Sequence, residues 1–317
     1  GGIASFSVDG FSKWPSQLGF AATQDSLVVT EFAEIVKEEY LAVGIRTALH
    51  PMSDLATDPR WARNFGTFGS NAKLSTDMTL AYMKGFQGET INNNSVLTMV
   101  KHFPGGGPQE DGLDAHLFSG RNQIYPGENF DYHLIPFKEA IKNNLKVIMP
   151  YYGIPVGQTN EDVAMAFNKS IITDLLKNEL NYEGVICSDW GIITGRHWGL
   201  GNISIEDRYL KSIDAGIDQY GGESDTSILK NATKKNIVQI FLHNIRDFSK
   251  KKNNQSDDYP FGGGPGMVLM IQPIYDCVKK LKDERNYDEV IFLSLIHISE
   301  PTRLLSIGGG RVWWEKI

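Results

Sequence analysis

Polar and aromatic side chains cluster at five points in the first 220 residues, each time next to a short apolar run. Carboxylates can serve glycoside cleavage as nucleophile and as acid/base. Arg, Lys and His can donate hydrogen bonds to sugar hydroxyls, and Trp and Tyr offer flat apolar faces. The combination is typical of a site that binds and cleaves glycosides. In chain order the clusters are His50, Asp54, Arg60 and Arg63; Lys101 and His102; Tyr151 and Tyr152; Asp189 and Trp190; and Asp218, Gln219 and Tyr220.

Alternating strands and helices must position these clusters. The sequence predicts strands at residues 44–49, 96–100, 146–150, 184–188 and 215–220, with one more at 2–8. It predicts helices at residues 31–43, 74–86, 132–143, 169–180 and 204–214. Because the predicted strands are continuous apolar runs, both of their faces should be covered, as in a parallel sheet wrapped by helices. In a parallel barrel the clusters would lie at the C-terminal strand ends, where catalytic groups converge.

Each cluster also has a structural interpretation. Asp189 taken alone is better explained as the cap of a following helix. Lys101 and His102 could be solvated loop residues, and Tyr151 and Tyr152 could be packing residues. Five clusters in register with five predicted strand ends favour the functional interpretation. We therefore expect these residues to line one cleft at the C-terminal end of a parallel sheet.

Composition narrows the class of protein. The 317-residue chain is 41% hydrophobic and 22% charged, which is typical of globular domains. Its formal net charge of −7 provides no overall basic surface, so we expect no nucleic acid to bind the barrel. Cys187 and Cys277 are too few for a disulfide framework. The sequence has no His or Cys pairs at metal-ligand spacing, and glycines 105–107 lack the Lys-Ser/Thr of a P-loop. We therefore expect no metal and no cofactor. No apolar run has the length of a bilayer span, and no membrane partner is expected.

Four segments resemble glycoside hydrolase family 3, in matching order and spacing. They are WPSQLGFAAT (14–23), DPRWAR (58–63), KHFPGGG (101–107) and GVICSDW (184–190). The resemblance covers residues 1 to about 230 and implies a (β/α)8 TIM-type barrel, which we expect to be incomplete. It implies a retaining, exo-acting β-glycosidase that works on β-glucosides or β-linked oligosaccharides. Asp189 would be the nucleophile that forms a covalent glycosyl-enzyme. The substrate-binding residues would be Asp9, Arg63, Lys101, His102, Tyr151, Tyr152 and Trp190.

The acid/base is the weak point of the resemblance. Many family members take a Glu from a second, C-terminal domain, which we do not find in this sequence. Members that resemble the N-acetylglucosaminidases use an Asp-x-His pair on a barrel loop instead. Asp114 and His116 have that form, although they lie further from Lys101 than that pattern allows, so a plain loop or a sugar-binding role is the alternative. A sugar-binding barrel without turnover therefore remains a competing hypothesis.

The sequence changes character after about residue 233. HNIRDFS (243–249) and DDYPFGGGPGM (257–267) resemble the bacterial tRNA guanine-N1 methyltransferases over about 236–294. The resemblance implies part of a pocket for tRNA guanine and S-adenosylmethionine, without the catalytic Asp, and an S-adenosylmethionine-dependent methyltransferase fragment is the alternative function. The structural alternative is a Gly-Pro loop before an amphipathic helix at 274–282. LSLIHISEPTR (293–303) looks like a translated sequencing adapter.

We accordingly predict three regions: a truncated barrel at 1–232, a small α/β fragment at 233–294 and a tail without assigned function at 295–317. A barrel that lacks strands would leave a parallel sheet edge and apolar surface uncovered. Self-association through that edge is therefore expected, unless residues from the 234–294 region cover it.

Overall fold

A computed structural model describes residues 11–223, 243–258 and 268–285. The chain divides into two compact units, Gly1–Ala232 and Thr233–Ile317. The predicted strand at 2–8, the candidate ligand Asp9, the glycine-rich run at 262–266 and the tail from 295 onward lie outside the described residues.

The first unit is built on a five-stranded sheet in which the strands follow one another in chain order. All four neighbouring pairs are parallel. A parallel sheet wound in chain order is the arrangement of a (β/α) barrel, and the predicted α/β class with an incomplete barrel is confirmed for the described residues. The strands are β1 (Thr47–Ala48), β2 (Leu97–Phe103), β3 (Val147–Pro150), β4 (Val185–Trp190) and β5 (Gln219–Gly221).

Helices connect the strands at positions close to the predicted ones. They are α1 (Gln17–Thr23), α2 (Ser26–Ala42), α3 (Ala72–Gln87), α4 (Phe130–Lys142), a π-helix (Ser170–Glu179) and α5 (Ile205–Ala215). Side chains cap four of these N-termini: Ser16 accepts from Gly19 N, Asp25 from Leu27 N, Asn71 from Leu74 N, and Ser204 from Asp207 N. The sequence prediction missed α1 and started α2 five residues late, because Asp25 was not recognised as an N-cap.

Short elements lie in the loops of the same unit. Asn122–Gln123 and Ile154–Pro155 form a separate two-stranded parallel pair. Single 3₁₀ turns occur at Asn64–Gly66, Glu110–Gly112, Phe118–Gly120 and Met165–Phe167.

An aromatic core packs α1, α2 and α3 together. Phe32 contacts Phe20 at a ring-centroid distance of 4.6 Å and Tyr82 at 5.4 Å. At Gly85, a Cβ would lie 2.4 Å from Ala33 Cβ, so only glycine permits the observed approach of α3 to α2. A second apolar cluster on the sheet joins β2, β3 and β4 through Met99, Val147, Met149 and Cys187. These cores hold the strand ends in place.

The second unit contains a helix and a short hairpin-like pair. Its elements are 3₁₀ turns at Ile245–Phe248 and Lys252–Asn254, antiparallel strands β6 (Asp257–Asp258) and β7 (Val268–Leu269), and α6 (Ile271–Glu284). Gln272 Nε2 donates to the Phe248 carbonyl at 2.8 Å and joins the helix to the first turn. The helix predicted at 274–282 is therefore present and somewhat longer. Over the three described ranges, no helix has the length and apolar character that a bilayer crossing requires.

Candidate active site

The ends of β2, β3 and β4 bring the predicted site residues to one edge of the sheet. Lys101 and His102 lie in the last part of β2, Tyr151 and Tyr152 directly follow β3, and Asp189 lies at the end of β4. The strands are parallel neighbours, so their C-terminal ends meet. Hydrogen bonds and ring contacts join His102, Tyr151, Tyr152 and Asp189 into one cluster.

Asp189 presents one oxygen that is fixed by donors and one that is not. The residue is 8% exposed. Tyr152 Oη donates to Asp189 Oδ1 at 2.9 Å, and the Trp190 backbone N–H donates to the same oxygen at 2.8 Å. Asp189 Oδ2 has no hydrogen-bond partner within the described part of the chain, and His102 Nε2 lies 3.6 Å from it. A buried carboxylate held by one oxygen leaves the other available for a ligand.

His102 is held in the site by Asp54. The Asp54 carboxylate, which is fully buried, lies 2.7 Å from His102 Nδ1 and accepts from the His102 backbone N–H at 3.1 Å. It also accepts from the Gly106 backbone N–H. A Cβ at Gly106 would lie 2.9 Å from the Asp54 carboxylate, so glycine is required for this close approach. Asp54 thus fixes both the imidazole and the loop that follows β2.

The charges of this pair follow from burial and from each other. Burial lowers the pKa of His102 despite the neighbouring Asp54, so the imidazole is neutral at pH 7. Burial alone would raise the pKa of Asp54, but His102, the Gly106 N–H and Arg63 outweigh it and lower that pKa. With Nδ1–H assigned to the bond with Asp54, Nε2 accepts, and Arg63 Nη2 lies 3.4 Å from it.

Arg63 brings a buried positive charge to the cluster. Burial would lower the pKa of its guanidinium, but Tyr151 and the carboxylates of Asp189, Asp114 and Asp54 raise it, so the group stays charged. Its Nη1 has no hydrogen-bond partner among the described residues. A charged donor without a partner in a buried site is suited to a polar ligand.

Lys101 is the second cation of the cluster. Burial lowers its pKa to about 8, with Arg63 acting in the same direction and the carboxylates of Asp189 and Asp54 acting against it. At neutral pH the ammonium is therefore mostly charged, and it lies within electrostatic range of Asp189.

The lowered pKa of Lys101 predicts a pH effect on stability. Between about pH 8 and its ordinary value of 10.5, the folded state binds fewer protons than the unfolded state. The free energy of unfolding should therefore rise with pH across this window, by less than about 1.4 kcal/mol per pH unit. Below pH 8 both states are protonated and the cost of burying the charge is fully present. Denaturant unfolding of the parent and of Lys101→Met between pH 7 and 10 measures the difference, and identical pH slopes would exclude the effect.

Asp114 and His116 form a pair next to the two tyrosines. His116 donates to Asp114 Oδ1 from its backbone N–H at 2.9 Å, and His116 Nδ1 is hydrogen-bonded to the same oxygen. Asp114 Oδ2 accepts from Trp61 Nε1 at 2.8 Å and from Tyr151 Oη at 3.2 Å. Burial would raise the pKa of Asp114, but these donors together lower it far below its usual range. Asp114 is thus ionised and fully engaged, and the side chain of His116 is 37% exposed.

His116 also contacts the tyrosine that is hydrogen-bonded to Asp189. Its ring lies 4.7 Å from the ring of Tyr152, centroid to centroid. Tyr152 donates to Asp189, so the Asp114–His116 pair and Asp189 border the same tyrosine. Side chains from two other loops, Trp61 and Tyr151, fix the carboxylate of Asp114.

Trp190 and Arg196 lie at the edge of the site. Trp190 is 42% exposed and packs against Gly221 and Gly222, where any Cβ would lie within 3.0 Å of its ring. Arg196 Nη1 donates to the Trp190 carbonyl at 3.1 Å, and its guanidinium carbon lies 4.9 Å from the Tyr152 ring centroid. An exposed indole beside buried donors is suited to a sugar face.

Two carboxylates that compete with Asp189 for the role of nucleophile have structural partners. Asp58 pairs with the exposed Arg60 at 2.8 Å. Asp218 Oδ2 accepts from the Ile186 backbone N–H at 2.9 Å, and Lys177 Nζ lies 3.4 Å from its other oxygen. These contacts give Asp218 a structural role, with Lys177 as its charged partner.

Comparison with known proteins identifies the family of the first unit. The model of the glycosyl hydrolase family 3 N terminal domain matches residues 1–239. The chain belongs to this family. Family 3 relatives include beta-glucosidase C of Emericella nidulans, 48% identical over 72% of this chain and 39% of that protein. A periplasmic beta-glucosidase/beta-xylosidase of Dickeya chrysanthemi is 38% identical over 73% and 39%. The chain thus spans about two fifths of the length of these relatives.

Solved family 3 structures have the same fold over the first unit. The beta-glucosidase of Listeria innocua matches with a TM-score of 0.62 and 25% identity, over 70% of this chain and 30% of that one. A variant of that enzyme has been determined in complex with laminaribiose. A family 3 beta-N-acetylglucosaminidase from Paenibacillus matches with a TM-score of 0.62 and 24% identity, over 74% and 43%.

The second unit is similar to a different family. The model of tRNA (Guanine-1)-methyltransferase TrmD matches residues 219–297. The tRNA (guanine-N(1)-)-methyltransferase of Flavobacterium johnsoniae is 53% identical over 70 residues, which are 22% of this chain and 31% of that protein. Both resemblances found in the sequence are thereby confirmed.

Proposed function

We propose that the first unit cleaves β-glycosidic bonds with retention of configuration and that Asp189 is its nucleophile. The observation that carries the proposal is Asp189 Oδ2, which lies in a buried site without a hydrogen-bond partner among the residues that the structure describes, while Tyr152 and the Trp190 N–H hold the other oxygen. Such a carboxylate is restrained in orientation, and its second oxygen is free to attack a bound ligand. β-Glucosides are the proposed substrate class, in agreement with the named activities of the relatives and with the laminaribiose complex of the Listeria enzyme.

The chemistry proceeds in two balanced steps. Asp189 Oδ2 forms a bond to the anomeric carbon while the bond from that carbon to the leaving oxygen breaks and the leaving oxygen takes up a proton. Water then attacks the same carbon, gives up a proton, and the bond to Asp189 Oδ2 breaks. Inversion at each step gives overall retention.

Buried donors around Asp189 would bind the sugar at the cleavage point. His102 Nε2 lies 3.6 Å from Asp189 Oδ2, Arg63 Nη2 lies 3.4 Å from His102 Nε2, and Arg63 Nη1 has no hydrogen-bond partner among the described residues. Lys101 is within electrostatic range of Asp189. Tyr152 would orient Asp189, while Trp190 offers its exposed face to the substrate. Tyr151 packs against the His102 ring at a centroid distance of 4.7 Å, and its hydroxyl donates to Asp114.

His116 is the group that we assign as acid/base, with Asp114 as its positioning residue. Asp114 is ionised and accepts four hydrogen bonds, so it is a poor proton donor. Asp114 holds His116 Nδ1 and leaves Nε2 for the leaving oxygen, which is the arrangement that general acid catalysis by imidazole requires.

Removal of the acid/base should affect substrates according to their leaving group. In His116→Gln, hydrolysis of methyl β-glucoside should fall by roughly 10²- to 10⁴-fold. The first step with 2,4-dinitrophenyl β-glucoside, in which dinitrophenolate leaves and the glycosyl-enzyme forms, should change little in rate, because that leaving group needs no proton. Asp111→Asn, an exposed carboxylate in the same loop, is the matched control. Equal losses for both substrates would remove His116 from the role of acid/base.

The proposed activity is tested by release of dinitrophenolate from the β-glucoside by the full chain, with the α-glucoside for comparison. Release from the β-anomer supports the proposal. Binding of the β-glucoside without release would support the competing hypothesis of a sugar-binding barrel, and absence of both would contradict a glycoside site. No activity is proposed for the second unit, since its segment covers under a third of its methyltransferase relatives. Self-association through the sheet edge stays a prediction.

A further inference from the structure

Two aromatic rings, one exposed and one partly buried, lie beside the Asp114–His116 pair and have no role in the proposed chemistry. Phe118 is 64% exposed and follows His116 by two residues. Trp198 lies in the loop after β4, and its ring meets that of Phe118 at 5.6 Å and 74°. The guanidinium of Arg121 lies 4.0 Å from the Phe118 ring centroid. We call Phe118, Trp198 and Arg121 the aromatic shelf.

The shelf is tied to the proposed acid/base. Trp198 Nε1 donates to the Ala115 carbonyl at 2.8 Å, between Asp114 and His116 in the chain. Arg121 Nη1 donates to the Phe118 carbonyl at 2.8 Å. The two loops involved follow β2 and β4, so the shelf lies at the same end of the sheet as Asp189.

From this placement we propose that the aromatic shelf binds the leaving-group side of a β-linked oligosaccharide, beyond the bond that is cleaved. The inference rests on the proposed function. The protonated atom is the leaving oxygen, so the part of the substrate attached to it must lie beside His116. Rings that meet near a right angle give a corner of two apolar surfaces, which suits the C–H face of a pyranose, and the Arg121 guanidinium offers donors for its hydroxyls.

The chemistry of the shelf favours a sugar over a protein partner. A protein interface would require a larger continuous apolar area, and here a charged guanidinium covers part of Phe118. Leu117, also 64% exposed, adds one apolar neighbour. The shelf therefore fits one or two sugar rings, and it should discriminate oligosaccharides from simple glucosides.

The test uses the full chain carrying Asp189→Asn, so that no ligand turns over, with calorimetric titration of methyl β-glucoside and of laminaritriose. The parent should bind the trisaccharide more tightly. Phe118→Ala should weaken trisaccharide binding by roughly two- to tenfold and leave glucoside binding unchanged. Phe118→Tyr should retain the parent affinity for both ligands. Val43→Ala, which removes an exposed apolar side chain just before β1 at the opposite end of the sheet, is the control.

The outcomes separate the shelf from the proposed function. Unchanged trisaccharide affinity in Phe118→Ala, with glucoside binding intact, would overturn the shelf and leave the glycoside site standing. If Phe118→Ala binds both ligands like the parent but changes the oligomeric state, the shelf is a protein contact, and the proposal is overturned as well. If the parent binds neither ligand, the glycoside site itself fails and the shelf fails with it.

Discussion

Asp189→Asn should abolish covalent labelling by a 2-fluoro glucoside that carries a good leaving group, with a rate loss of at least about a thousandfold. The amide oxygen of Asn can still accept from Tyr152 Oη and from the Trp190 N–H, so the fold and sugar binding should persist. The amide is not a nucleophile, and the step that forms the bond to the anomeric carbon is lost. Intact mass over time after mixing measures the labelled fraction.

A matched variant separates this effect from a general change of charge. Asp58→Asn removes a carboxylate that pairs only with the exposed Arg60 and lies outside the cluster around Asp189. It should label at the parent rate. Labelling of Asp189→Asn at a rate near that of the parent would show that another group attacks the sugar.

Asp54→Ala should have the largest effect on stability. Its carboxylate is fully buried and accepts from His102 N, His102 Nδ1 and Gly106 N. Removing it leaves these donors unsatisfied in the interior and Arg63 without one of its neighbouring negative charges. We expect the free energy of unfolding of the first unit to fall by about 3–5 kcal/mol. Denaturant titration followed by Trp fluorescence measures it.

Two further variants show whether the stability lost in Asp54→Ala comes from its buried hydrogen bonds. Asp77→Ala removes an exposed carboxylate that pairs with Lys73 on the surface of α3, and it should cost less than about 0.5 kcal/mol. Asp54→Asn keeps an acceptor for the backbone donors and should fall between the two. A cost for Asp54→Ala as small as that for Asp77→Ala would mean that Asp54 does not hold the loop after β2.

Much of the fold could be predicted because the signal is local. The predicted strands that end at Val100, Pro150 and Ser188 are continuous apolar runs, and the polar or aromatic residues that follow them stand out against that background. Parallel pairing in chain order then brings these ends together. The placement of Lys101, His102, Tyr152 and Asp189 at one edge follows from that rule alone.

The contacts within the site depend on residues far apart in the chain, and local patterns do not specify them. Asp54 could be seen as a strand-end carboxylate, but its bond to His102 joins residues that are 48 positions apart in the chain. Trp61 and Tyr151 fix Asp114 across 53 and 37 residues. The role of Arg196 against the Tyr152 ring was likewise missed, because nothing in its own segment marks it. The one available signal was the adjacency of Asp54 to a predicted strand end.

The central claim is that Asp189 forms the glycosyl-enzyme. Peptide mapping by tandem mass spectrometry, after the full chain has reacted with the 2-fluoro glucoside and been digested, locates the attached sugar. The account predicts a single labelled peptide that spans the end of β4, with the sugar on Asp189. A sugar located on Asp54, Asp114 or Asp218 would contradict it.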